Sequence, residues 1–263
     1  MPCFGCLSVS ESLFNKASIS YAKDILEITN NEIMKLHNFN RLNNPKSIWG
    51  EVDNNPIQQD VRKIASETGV DFTLDVTLNR NQKITNIFSG NLIDSHNLAC
   101  DFARKTAMVE VDEPYDLVIT SNSGYPLDQN LYQTVKGLSA ASQVVKDGGE
   151  ILCISECSDG IPNHGKFYSL LSEFNDPNQV ENILSDPNFH CQDQWQVQIL
   201  SQIAKKAKIN LYTQGLSKEQ IRNAFMYDVK DPQNFLNEKL ESNGNIKGCV
   251  LPEGPITIPV IKN

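Results

Sequence analysis

Positive charge is scarce: 23 Lys and Arg stand against 32 Asp and Glu in 263 residues, a formal charge of -9. The basic residues do not cluster along the chain, so a phosphate backbone or an anionic membrane surface would be repelled, and neither nucleic acid nor membrane is expected as a partner. Long apolar runs are missing too. The longest aliphatic or Cys run, Ile151-Leu152-Cys153-Ile154, is far short of the roughly 20 apolar residues a spanning helix needs. Met1 to Ser10 has no basic n-region and is interrupted by Gly5 and Ser8, unlike a secretory signal, so the cytoplasm is the expected location. The seven cysteines are odd in number and scattered, which fits reduced thiols better than a disulfide framework. Cys3-x-x-Cys6 is the one tight pair, and it has no second pair to complete a zinc site. Four histidines, at 37, 96, 164 and 190, include no His-x-x-x-His spacing, so spacing alone proposes no metal site. Phosphate-loop, nucleophile-elbow and dinucleotide-binding glycine signatures are also absent, which removes the main support for common nucleotide and hydrolase readings.

The chain is long enough for one large or two modest domains, and its 40% hydrophobic content predicts a buried core. Residues 1 to 45 show little periodicity apart from a short helix around Glu32 to His37. Asn55-Pro56 then supplies a cap and a first-turn proline for a helix carrying Ile57, Val61, Ile64 and Ala65, with Gly69 as its stop. Phe72, Leu74, Val76 and Leu78 alternate with Thr73, Asp75 and Thr77, the period of a strand with its apolar side buried. Lys83 to Phe88 is its expected antiparallel neighbour, and Leu92 to Lys105 a further helix.

Beyond the acidic link Glu110 to Pro114 the order becomes strand (Asp116 to Ser121), loop, helix (Asp128 to Lys146), Gly148-Gly149, strand (Glu150 to Ser155). That is a βαβ unit, which forces parallel strands and puts ligand sites in loops past their carboxyl ends. Two loops qualify, Asn122 to Leu127 and Glu156 to Gly165. Helices follow near Asp176 to Leu184, Gln192 to Lys206, Ser217 to Ala224 and Pro232 to Glu241, with strands near Ile209 to Tyr212 and Lys247 to Leu251. The class is therefore α/β. A parallel-sheet domain is expected over 111–263, with part of a second α/β domain over 1–110.

In the first of these loops Gly124 permits close backbone approach, Pro126 stiffens the turn and Asp128 is placed to cap the next helix. Along that helix Gln129, Tyr132, Gln133 and Lys136 recur at spacings of three and four and share a face. A solvated face has the same pattern. Next to a candidate site loop, however, the ammonium of Lys136 is positioned to pair with a carboxylate while Gln133 and Tyr132 offer neutral hydrogen bonds. Trp195 lies with Ile199 and Ile203 at helical spacing, a core pattern. Glu156, Asp159 and His164 in the second loop are further candidates for coordination or proton transfer.

The string from Thr120 through Asn122-Ser123-Gly124-Tyr125-Pro126-Leu127-Asp128 and Tyr132-Gln133 to Lys136-Gly137 resembles the signature of the nickel-dependent lactate racemase family. Val145 to Gly149, Glu156 to Gly160, Asp193-Gln194-Trp195, Asn54 to Pro56 and Gly69 to Phe72 follow in family order, so the similarity runs from about His37 to the C-terminus. It implies two α/β domains with the active site between them and a nickel-pincer nucleotide (nickel pyridinium-3,5-bisthiocarboxylic acid mononucleotide) as cofactor. The activity implied is interconversion of D- and L-2-hydroxy acids such as lactate. In that chemistry a hydride leaves the α-carbon and returns to either face of the keto acid, with two family histidines as bases.

By resemblance His37 is the nickel and cofactor ligand. Gln133 and Lys136 are catalytic and substrate-facing, Tyr132 and Trp195 substrate-binding. The family's Asp-His-Thr-Arg-Pro motif and the stretches bearing both histidine bases have no counterpart here. Ser20-Tyr21-Ala22-Lys23 differs in spacing from the family's Gly-Gly-Arg-Lys context for its cofactor-bearing lysine. The expected partners are thus a small hydroxy acid, a separate N-terminal half and the cofactor-synthesis proteins. The alternative is a non-catalytic module that binds a small carboxylate or a partner protein. A chain with half of the fold missing is also expected to leave apolar surface uncovered and to self-associate.

Overall fold

The computed structural model describes residues 38–79, 81, 83–162, 165–174, 176–242 and 244–262. It divides into two compact units, Met1–Met108 and Val109–Asn263. Among the described residues no helix is long and apolar enough to cross a membrane.

The first unit begins, in its described part, with the short helix α1 (Phe39–Leu42). Helix α2 (Pro56–Thr68) is built as its sequence dictates: Asn55 Oδ1 accepts from the Ile57 and Gln58 N–H groups, Pro56 opens the first turn, and Gly69 ends it at φ 73°. Strands β1 (Thr73–Leu78) and β2 (Ile84–Gly90) form a two-stranded antiparallel sheet, with Val76 opposite Ile87. Helix α3 (Leu92–Ala107), capped by Asn91, packs on one side of it. Ala65 and Leu92 centre a small core with Val61, Val70 and Ile93.

The sheet faces are the reverse of the sequence expectation. Thr73 is buried and Asp75 and Thr77 are partly covered, while Leu74, Val76 and Leu78 are exposed. Strand alternation fixes only that the two sets face opposite ways. Phe88, tilted against Phe102 of α3 at a centroid distance of 5.7 Å, and the Thr73–Ser95 hydroxyl contact of 2.6 Å decide which way the helix lies.

In the second unit β3 (Met108–Val111) pairs with β9 (Ile258–Ile261), and the remaining strands form one sheet in the order β7-β6-β5-β4-β8. These are β4 (Tyr115–Ser121), β5 (Val145–Ile154), β6 (Lys208–Tyr212), β7 (Tyr227–Asp228) and β8 (Gly248–Leu251), every neighbouring pair parallel. Fully buried Val118, Ile151 and Ile209 stand in register across three strands. Their sequence neighbours Leu117 and Leu152 pack instead with Phe235 and Leu236 of the helix Pro232–Ser242. Adjacent positions buried on opposite sides mean that both faces of the sheet are covered. Helices α4 (Leu131–Ser142) and α7 (Gln194–Lys206) pack against each other and on the central strands. Between them come α5 (Phe167–Ser172) and α6 (Pro177–Leu184).

Helix α4 is shorter than its sequence pattern at both ends. It starts at Leu131 because Asn130, with its side chain on the Gln133 N–H, takes the cap position. Strand β5 starts already at Val145 and runs through Gly148-Gly149, where its register against β4 slips. Gly149 fits there because a Cβ would lie 3.0 Å from the Asp116 carbonyl oxygen.

The approach of α4 to the carboxyl end of β4 is closer than any side chain allows. A Cβ on Gly137 would meet the Ser121 carbonyl oxygen at 2.8 Å and Asn122 Oδ1 at 2.9 Å, and one on Gly254 would lie 3.0 Å from Gly137 Cα. Gly137→Ala should therefore force the helix off the strand at a cost of about 1–3 kcal/mol. Urea denaturation checks this, and an unchanged midpoint would contradict the packing described.

Candidate functional site

The two loops singled out by topology are stitched together at the carboxyl ends of β4 and β5. The Cys157 N–H donates to the Asp128 carbonyl at 3.0 Å, the Asp159 N–H to Gln129 at 2.8 Å, and the Leu131 N–H to Gly160 at 3.0 Å. Asp128 Oδ2 adds a bond from the Glu156 N–H at 3.2 Å. Asn122 is buried and holds loop and helix together: its Oδ1 accepts from the Gly137 N–H at 2.9 Å, and its amide donates to the Leu127 carbonyl. Ser123 and Gly124 follow with φ values of 64° and 72°. Among the described residues the buried Ser123 hydroxyl and Asp128 Oδ1 have no hydrogen-bond partner.

From this base α4 carries Tyr132, Gln133 and Lys136 on its half-buried side, with Thr134, Val135 and Gly137 fully covered behind them. Tyr132 is locked from three directions. Its hydroxyl accepts from Trp195 Nε1 at 3.0 Å, its carbonyl accepts from Gln196 Nε2 at 2.6 Å, and its ring meets Phe167 edge-on at 5.3 Å. Burial pushes its phenol up to about 12, opposed only in part by the Trp195 bond. Tyr132 is consequently a neutral group at any physiological pH.

Trp195 is the second residue of α7, which follows Asp193, a left-handed residue at φ 66° whose carboxylate accepts from the Lys166 N–H at 2.9 Å. Gly165 is required beside it, since a Cβ there would lie 2.1 Å from Asp193 Oδ2.

Lys136 is the electrostatic anomaly of the site. It is half-buried, it has neither an ion pair nor a side-chain hydrogen bond among the described residues, and burial holds its ammonium below the usual lysine range. Other lysines of this unit are paired, Lys146 with Asp116 and Lys239 with Glu150. An uncompensated, partly desolvated cation is a receptor for an anion.

The structure thus brings Tyr132 and Trp195 into contact and sets Gln133 and Lys136 on the same helix side. His37, Lys23, His164 and the Cys3–Cys6 pair lie outside the described residues. Among the described residues no cluster of three or more His, Cys, Asp or Glu is placed to hold a metal. His96 is buried instead and accepts from Arg62 Nη2 at 2.8 Å; burial and the neighbouring guanidinium bring it down to about 4. The sequence pattern does not announce Asn122 as the brace or Phe167 as the wall behind Tyr132. The glycine in the second turn of α4 was the available signal for the first, because a helix glycine marks close backbone approach. Nothing local marked the second.

Residues 111–260 match the model of the lactate racemase C-terminal domain. The chain belongs to the lactate racemase family. The lactate racemase of Thermoanaerobacterium thermosaccharolyticum is 38% identical over 220 residues, 81% of this chain and 50% of that protein. The lactate racemase of Lactiplantibacillus plantarum is 30% identical over 225 residues, 84% and 53% of the two lengths. The solved apoprotein of the Thermoanaerobacterium racemase superposes with a TM-score of 0.80 at 35% identity, covering 88% of this chain and 55% of that one. A Thermotoga maritima protein shares the fold at 13% identity and a TM-score of 0.55, over 80% of this chain and 54% of that one. The chain spans about half the length of the racemases it matches.

Two outcomes follow for the isolated protein. Tyr132→Phe removes the acceptor of the Trp195 indole and should cost about 1 kcal/mol, with a shift in Trp195 fluorescence in a Trp49→Phe background; an unchanged spectrum would contradict the contact. Lys136→Met should leave the melting temperature equal or raise it, because it removes a desolvated charge that no group among the described residues offsets. A marked fall would mean that Lys136 is paired in the fold.

Proposed function

We propose that this chain supplies the substrate-anchoring side of a lactate racemase centre that interconverts D- and L-2-hydroxy acids. The unpaired, half-buried ammonium of Lys136, one helical turn from Tyr132, is the observation that carries the reading. A 2-hydroxy acid offers what that surface lacks: a carboxylate for Lys136 and a hydroxyl for the neutral amide of Gln133. Tyr132, fixed by Trp195, closes one side as a neutral donor and keeps the carboxylate from sliding along the helix.

Family resemblance implies a nickel-pincer nucleotide as the group that meets the substrate. The described residues offer no ligand set for its metal; by resemblance the ligand would be His37, which lies outside them. When bound, that group supplies the acceptor for the α-hydrogen as hydride. The work of this chain is then to bind and orient: a fixed carboxylate keeps the α-carbon in place while the planar keto acid presents either face. The family's two histidine bases have no counterpart in this sequence, so removal of the hydroxyl proton falls to the complementary half of the fold. The proposal accordingly requires that half, and the proteins that make the cofactor, for turnover.

The test is coexpression with the cofactor-making proteins and the complementary half of the Thermoanaerobacterium racemase, followed by nickel analysis and racemisation of D- and L-lactate. Nickel loading with racemisation is expected, and Lys136→Ala should lower kcat/KM by roughly 100-fold or more. Nickel loading with no interconversion of any 2-hydroxy acid would overturn the proposal. Hydroxy-acid binding should also weaken as pH rises through the lowered value of Lys136, since the lysine is charged below that value and neutral above it. Affinity that is flat up to the normal lysine range would remove Lys136 from the site.

A further inference from the structure

The two-stranded sheet of the first unit is built inside out. Its covered side carries Thr73, Asp75 and Thr77, and burial raises the Asp75 carboxyl above its ordinary value. Its outward side carries Leu74 at 65% exposure, Val76, Leu78, Ile84 and Ile87 at 57%, with Phe72 at 64% just before the strand. Cross-strand register puts Val76 opposite Ile87 and Leu78 opposite Ile84, so these side chains form one continuous patch. An antiparallel sheet with one face on a core normally turns its polar side to water, and a two-stranded sheet is marginal on its own. Each strand also has one edge with no strand partner among the described residues.

The matched racemases are about twice as long as the stretch they share with this chain, and the solved relative extends well beyond the superposed part. We infer that the Leu74, Val76, Ile84 and Ile87 face is the docking surface for the complementary half of the racemase fold, which covers it with apolar side chains and extends the sheet at its open edges. This rests on family membership and length, and not on Lys136 or on racemisation.

Ile87→Cys, with Glu219→Cys as an exposed control on the second unit, reports cover directly through maleimide labelling followed by peptide mass spectrometry. The variants are made in the present chain, and in a chimaera joining it, in the relative's own order, to the unmatched half of the Thermoanaerobacterium racemase. The thiol of Ile87→Cys should label at the control rate in the present chain and at least tenfold slower in the chimaera, with the control unchanged. In a second arm the two halves are coexpressed as separate chains. They should copurify one to one, and Val76→Lys with Ile87→Lys should abolish copurification without changing the circular dichroism of the present chain. Equal labelling in chain and chimaera, or copurification that survives the double lysine variant, would overturn the inference. So would slow labelling in the present chain alone, whether it is a dimer closed by a second copy or a monomer covered by its own residues. Nickel content and lactate turnover do not enter either readout.

Discussion

The contact between Gly137 and the end of β4 is the constraint on which the second unit's site depends. With no Cβ at 137, the Gly137 N–H reaches Asn122 Oδ1 at 2.9 Å, and the loop and the helix become one rigid piece. Gly254 repeats the device from another side, within 2.5 Å of Thr120 Oγ1 for a Cβ placed there. Backbone packed on backbone leaves little freedom for the direction of α4, and that direction sets where Tyr132, Gln133 and Lys136 emerge. A site built on such a support holds its groups better than a loop can.

Lys136 sits on that rigid support at a cost. A partly desolvated ammonium with no counter-charge among the described residues destabilises the fold that carries it, whereas Lys146 and Lys239 of the same unit are ion-paired. Groups kept against stability are the ones whose chemistry is needed with a ligand present. Tyr132 is the opposite case: fully engaged by Trp195, Gln196 and Phe167, it contributes shape and a neutral hydroxyl and no charge.

Much of the architecture was legible because local rules and tertiary packing agree. Asn55-Pro56 and Gly69 bound α2 as written, the helix expected from Ser217 is present and opens with a reciprocal Ser217–Gln220 capping box, and the βαβ order from Asp116 gave a parallel sheet. The limits of α4 were misread because Asn130 outcompetes Asp128 as cap, and two good caps in a row cannot be ranked from sequence. Strand β1 was assigned correctly as a strand, and its burial was inverted: alternation is blind to which side has a partner, and the apolar side of this strand faces outward. Helix α5, with Phe167, carries no cap bond and no preceding signal, so it went unread. At the site, the long motif around Asn122 to Gly137 pointed to the family, whereas the Trp195 to Tyr132 bond joins residues 63 positions apart and exists only through the packing of α7 on α4.

The unpaired state of Lys136 is the claim that everything functional rests on, and its ammonium can be observed directly. With 13C-labelled lysine and Lys136→Arg to assign the resonance, an NMR pH titration should show Lys136 losing its proton below the exposed lysines, and lactate should move its signal and raise that value. A Lys136 resonance that titrates with the exposed lysines and ignores lactate in the presence of the complementary half would contradict the account.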